Sequence, residues 1–119
     1  MNADVEIARV YRLEKQDDRY YVLVDRLWPR GVARATAPFD EWLKDVAPSA
    51  ELRKWYGHEP ERFQEFASRY RQELETDPAY GAFQTLRSHA QAGRLVLLTA
   101  TKNLEQSEAA VLQGLLRGR

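Results

Sequence analysis

The sequence predicts an α/β fold: a small, mostly parallel sheet of about three strands in a three-layer sandwich, with extra helices between the second and third strands. Three observations carry this. The runs "YYVLVDRLW" and "RLVLLT" are apolar on both faces for most of their length, the pattern of central strands covered on both sides. Between them lie stretches whose apolar residues recur at helical spacing, set off by proline or a capping residue. A helical connection between two strands makes those strands parallel neighbours.

Each element has its own signal. "IARVYRL", Ile7–Leu13, alternates apolar and polar residues and reads as a half-buried first strand. The polar turn "EKQDDR" leads into a second strand over Tyr20–Trp28, broken by Pro29 and Gly31. After "VARATA", Pro38 suits a first helical turn, and Phe39, Trp42, Leu43 and Val46 fall on one helical face. Ser49 can cap a short helix carrying Leu52, Trp55 and Tyr56, which Gly57 closes. Pro60 opens a helix with Phe63, Phe66, Ala67, Tyr70 and Leu74 inward. Asp77-Pro78 starts the next, with Ala82, Phe83, Leu86 and Ala90 inward and Gly93 at its end. Residues 94 to 99 form the third strand. Asn103 with Gln106 resembles a capping box for a last helix carrying Ala109, Val111, Leu112, Leu115 and Leu116.

At 119 residues the chain suits one domain with one core. No apolar run approaches the roughly 20 residues that span a bilayer, and "MNADVEIARV" lacks a leader pattern, so a soluble cytoplasmic protein is expected. The absence of cysteine excludes disulfides, thiolate catalysis and thiolate metal sites. The 18 basic and 18 acidic residues cancel, which argues against bulk nucleic-acid or membrane-surface binding. Their distribution is uneven. Arg9, Arg12, Lys15, Arg19, Arg26, Arg30 and Arg34 stand against four acids in residues 9 to 34, while ten acids face six bases from Asp40 to Asp77.

In open α/β sheets, ligands bind beyond the carboxyl ends of the strands. There the second strand delivers Asp25, Arg26, Trp28 and Arg30, and the third delivers Thr99, Thr101 and Lys102, followed by a helix start at Asn103. Arginine forks, a lysine charge and a helix N-terminus all favour an anion. The competing reading is structural: Asp25 could pair with Arg9, Arg53 or Lys54, and Arg26 with Asp45 or Glu51, as ion-pair networks do without any ligand. The three tryptophans fall on apolar faces and read as core. Familiar catalytic arrangements are missing. Neither His58 nor His89 has an i+4 partner for a metal, and no nucleophile elbow, Walker A loop or dinucleotide fingerprint occurs, so no metal or cofactor is expected. Acid–base work by Asp25 with Lys102 remains chemically open.

"VDRLWPRG", "WLKDVAPSAELRKWYGH", the spaced set Phe66, Arg69-Tyr70 and Glu73-Leu74, "LVLLTATK" and "AAVL" together resemble the DUF488 family in its short YeaO-like branch, from about Ala8 to Leu116. The resemblance implies a small bacterial or archaeal α/β protein with no settled activity. It adds Lys44 to the candidate site, beside Asp25, Arg26, Trp28, Arg30 and Lys102. The chain departs from the family after the third strand, where relatives tend to read Tyr-Ala-Ala-Lys-Asp. Here the stretch is Thr99-Ala100-Thr101-Lys102-Asn103, so an acid is replaced by an amide. Three readings follow: a binder of, or enzyme on, a small phosphate- or carboxylate-bearing molecule held by Arg26, Arg30, Lys102 and Asn103; a module docking protein or nucleic acid through Arg9–Arg34; or a structural protein without a ligand.

Overall fold

The structure is a computed structural model describing residues 4–11 and 13–118. Four strands, β1 (Val5–Arg9), β2 (Arg19–Leu23), β3 (Glu41–Trp42) and β4 (Arg94–Thr99), form one sheet in the order β1-β4-β2-β3. Every adjacent pair is parallel, with Val5 opposite Leu95, Tyr20 opposite Leu95 and Val22 opposite Glu41. The α-helices are α1 (Ala50–Tyr56), α2 (Phe63–Glu73), α3 (Ala79–Ala92) and α4 (Glu108–Gly118). The α/β class, the parallel pairing of β2 with β4 and the helices between those two strands agree with the sequence reading, and β3 is a fourth strand beyond the three expected.

Strand lengths are set by the partner. β4 is central, so its neighbours can pair only while it lasts. Val10 N–H donates to Thr99 O at 2.9 Å and Val24 N–H to Leu98 O at 3.0 Å, and there both ladders end. The second strand therefore stops near Leu23, short of Trp28, and the first lies at Val5–Arg9, earlier than Ile7–Leu13. Of that first stretch, Arg12 lies outside the described residues.

The helix expected after Pro38 does not form. Asp40 N–H donates to Tyr21 O at 2.8 Å and Leu43 N–H to Leu23 O at 2.9 Å, so this stretch runs alongside β2 as the edge strand β3. Its apolar residues divide between the two sides of the sheet: Phe39 and Trp42 pack with Tyr21, Leu23 and Leu98, whereas Leu43 and Val46 face the helices. The spacing that resembled a helical face is that of an extended strand followed by a 3₁₀ turn, Lys44–Val46.

All four helices pack on one face, where Leu52, Phe66, Leu86 and Leu112 meet Val22 and Leu97. The opposite face is closed by loop residues, among them Tyr11, Leu13 and Phe39, so the third layer is loop and not helix. Trp28 stands edge-on to Phe39 and Trp42 at ring distances of 5.2 and 5.4 Å. Ser49 Oγ accepts from Leu52 N–H at 3.1 Å and Gly57 takes φ 54, as expected for the cap and stop of α1. The expected capping box gives only a 3₁₀ turn, Leu104–Gln106; α4 starts at Glu108, with Ser107 Oγ accepting from Ala110 N–H at 3.3 Å. No helix among the described residues is long and apolar enough to cross a membrane.

Ser49 also donates its hydroxyl to Glu73 Oε2 at 2.6 Å and its backbone N–H to Glu73 Oε1 at 2.8 Å, tying α1 to α2. Ser49→Ala removes the cap and one of these bonds, and should lower stability by about 1–2 kcal/mol, seen as a reduced urea midpoint at unchanged slope. Leu27→Ala, at a side chain 64% exposed, should stay within about 0.5 kcal/mol of wild type in the same experiment.

Candidate functional site

β2 and β4 lie side by side, and the chain leaves them in opposite directions, from β2 toward β3 and from β4 toward α4, which packs against β1. Such a divergence opens a crevice at the carboxyl ends of the strands. Here it is a cavity of about 750 Å³, within the range of small-molecule sites.

Asp25 lines it. Its Oδ1 accepts from Thr99 Oγ1 at 2.7 Å and its Oδ2 from Ala100 N–H at 2.8 Å. Its carbonyl accepts from Trp42 Nε1 at 2.7 Å. Arg26 turns to the segment before α1, donating to Ala47 O at 3.1 Å and to Pro48 O at 3.3 Å. The ion pairs expected for these two residues are thus not the ones made. Asp25 meets β4, whose end is too close to leave its backbone amide unsatisfied, and Arg26 meets carbonyls that a turn leaves without backbone partners.

Trp28 donates from Nε1 to Val32 O at 2.6 Å and carries the Arg34 guanidinium 4.5 Å from its ring centre, so it fixes the loop as well as walling the cavity. Arg30, Lys102 and Asn103 also line the cavity. Asn103 does not start α4; its side-chain amide donates to Gln106 Oε1 at 3.2 Å. Lys44 is not brought to the site, because β3 carries it away and its ammonium lies 5.4 Å from the Trp42 ring centre.

Other lining residues went unrecognised as part of one cluster. Arg53 and Lys54 come from α1, and His58 follows it with a left-handed φ of 59, uncommon for a residue with a Cβ. The most consequential is Glu108. In sequence it is an acid in a first helical turn, ordinarily read as a complement to the helix dipole. In the fold it lines the same cavity as Asp25 and Arg53. Burial, then the Asp25 bond and charge, hold the Glu108 proton well above the usual glutamate range, against the opposing pull of its own backbone N–H and of Arg53. Among the described residues, Arg26, Arg30, Arg53, Lys54 and Lys102 have no carboxylate within 4.0 Å.

A family model described as the inactive DUF488-N3 subclade matches residues 4–119. Uncharacterized proteins of Mycobacterium tuberculosis H37Rv and of Mycobacterium bovis are each 49% identical over 117 residues, covering 97% of this chain and 95% of theirs. The uncharacterized protein YeaO of Escherichia coli K12 is 39% identical over 114 residues, covering 96% of this chain and 97% of its own. No solved structure matches. The chain belongs to the DUF488 family.

The unfolded chain releases the Glu108 proton near the ordinary 4.5, whereas the folded chain keeps it to higher pH. Between those two values folding takes up a proton, so this group's contribution to stability falls as pH rises through the window. Glu108→Gln keeps a neutral donor beside Asp25 and removes the loss. Thermal denaturation should find the variant more stable than wild type near pH 8, about the ordinary range of assay, with the gap narrowing steadily as pH falls toward 4.5. A gap of one size at every pH would mean that Glu108 titrates alike in both states.

Proposed function

We propose that this DUF488 protein binds a small anionic molecule, bearing phosphate or carboxylate, in the cleft at the carboxyl ends of β2 and β4. The observation that carries the reading is the gathering of Arg26, Arg30, Arg53, Lys54 and Lys102, without carboxylate partners, around a cavity of about 750 Å³. Elsewhere among the described residues, Lys15, Arg19, Arg69 and Arg94 each sit on an acid, Arg9 and Arg62 donate to carbonyls, and Arg34, Lys44 and Arg87 lie over aromatic rings. These cations outnumber the carboxyl groups of Asp25 and Glu108 in the same lining, and such an excess raises the local potential and attracts a compact anion.

In this reading Arg30, Arg53 and Lys102 contact the anion, with Asn103 beside them as a polar neighbour. Asp25 and Arg26 hold the cleft open through their bonds to β4 and to the segment before α1, and Trp28 forms a wall. Lys44 has no part in it. Binding is favoured over catalysis because the matched family model is described as an inactive subclade. The relatives from Mycobacterium tuberculosis and Escherichia coli suit a bacterial protein.

Docking through the basic segment Arg9–Arg34 finds less support, because most of its described basic side chains are engaged within the protein. Arg9 donates to Ala100 O at 3.1 Å, Arg19 pairs with Glu6 and Asp18, and Arg34 lies over Trp28.

A thermal-shift panel of phosphorylated and carboxylated metabolites tests the proposal. A binder at a hundred times its dissociation constant should stabilise the protein by about 2.7 kcal/mol. Arg53→Ala and Lys102→Ala should each abolish the shift while leaving the unliganded melting temperature nearly unchanged, since both side chains are exposed. Shifts that survive in both variants would place the anion elsewhere.

A further inference from the structure

The sheet has two edges, and they are not alike. β3 is two residues long, with Pro38 shortly before it and Lys44 shortly after, features that keep an edge from pairing. β1 runs for five residues, Val5–Arg9, in unbroken register with β4 and with neither proline nor lysine. Its two end bonds fix where its backbone points. Leu95 N–H donates to Asp4 O at 3.0 Å and Val10 N–H to Thr99 O at 2.9 Å. Successive residues of a strand turn their N–H and C=O to opposite sides, so Glu6 and Ala8 address β4 while Val5, Ile7 and Arg9 address the outer edge. The bond from Gln113 Nε2 to Val5 O, at 2.9 Å, lies on that outer side. Among the described residues, the backbone N–H and C=O of Ile7 and Arg9 meet no partner. Such a row is a template for another extended strand.

We propose that β1 is a dimerisation edge: a second copy of this chain adds its own β1 antiparallel, about a two-fold axis at Ile7, joining two four-stranded sheets into one. The row is its own complement. With Ile7 opposite the partner's Ile7, Val5 meets the partner's Arg9, and all three outward residues find an outward residue within the strand. Sliding by two residues either way leaves one of them facing a position beyond the strand end. The charges select the same register. Here Glu6 faces the partner's Ala8 and Arg9 faces the partner's Val5, whereas other symmetric registers set Glu6 against Glu6 or Arg9 against Arg9. Glu6 is also neutralised within its own chain by Arg19 at 3.3 Å. The half-buried Ile7 gains an apolar cross-strand neighbour on the helical side of the sheet. Association stops at two, because the edges left over are the short β3 strands. The antiparallel join also sends the two clefts to opposite ends of the combined sheet, so both stay open.

Sedimentation velocity from micromolar to about millimolar protein tests this, with amide exchange followed by NMR at both ends of the range. The protein should be dimeric at the upper end, where the Ile7 and Arg9 amides should exchange at least about tenfold more slowly than in the dilute sample. Ile7→Pro removes an outward N–H and no bond to β4, at a place where an edge strand tolerates proline. It should fold and should weaken dimerisation at least about tenfold, the scale of the two symmetry-related bonds it deletes. A protein that is monomeric throughout overturns the inference and leaves the edge to an extended segment of another protein. A dimer in which Ile7 and Arg9 exchange is unchanged overturns it too, since the interface then lies elsewhere. Should Ile7→Pro fail to fold, the exchange result decides alone.

Discussion

The carboxylate of Asp25 is the fixed point on which the rest of the architecture depends. It lies where the β2 ladder runs out, and it bonds to Thr99 Oγ1 and Ala100 N–H at the end of β4. Its own carbonyl takes the indole N–H of Trp42 from β3. One residue thus joins the carboxyl ends of three strands, and it lines one cavity with Glu108 of the first turn of α4. Two adjacent strands whose continuations diverge would otherwise expose unpaired amides in a crevice. A side chain that accepts several hydrogen bonds closes that gap without filling the space.

This arrangement explains why a sheet so small supports a cleft into which several polar side chains gather. All four helices lie on one face, and their apolar sides are used up against Val22, Leu95 and Leu97. The loop side is held by the edge-on packing of Trp28 against Phe39 and Trp42 and by the Trp28 bond to Val32. With both faces covered, the strand ends are where polar side chains can gather without breaking a hydrophobic layer. Arg26 and Tyr70 hold the segment between β3 and α1 by bonding its carbonyls, Tyr70 donating to Val46 O at 2.5 Å. The cleft is built from polar groups satisfied by backbone, which leaves the cations at its mouth without partners.

Much of this was legible from residue patterns because the signals are local. Ser49 caps α1 and Gly57 ends it, Pro60 and Asp77-Pro78 open the next two helical segments, and β4 begins beside Gly93 as its apolar run implies. In each case the residue's own backbone preference agrees with what the fold requires. The stretch from Phe39 to Val46 shows where such reasoning stops. Its apolar spacing fits a helix, but two backbone hydrogen bonds to β2 and a division of its side chains across both sheet faces make it a strand. No local signal records that an edge of β2 stands open beside it.

The sequence by itself determined the α/β class, the parallel pairing of the two longest apolar runs, most helix starts and stops, and the presence of Asp25, Arg26, Trp28, Arg30 and Lys102 near the strand ends. Those follow from periodicity, capping chemistry and proline and glycine geometry, which act within a few residues. The tertiary structure alone decided which side chains share the cleft. It put Glu108 in one cavity with Asp25, brought Arg53 to the same mouth, turned Arg26 onto carbonyls and sent Lys44 away with β3. These are contacts between residues far apart in the chain, fixed by strand order and by where each ladder runs out, and one local pattern is compatible with many such placements.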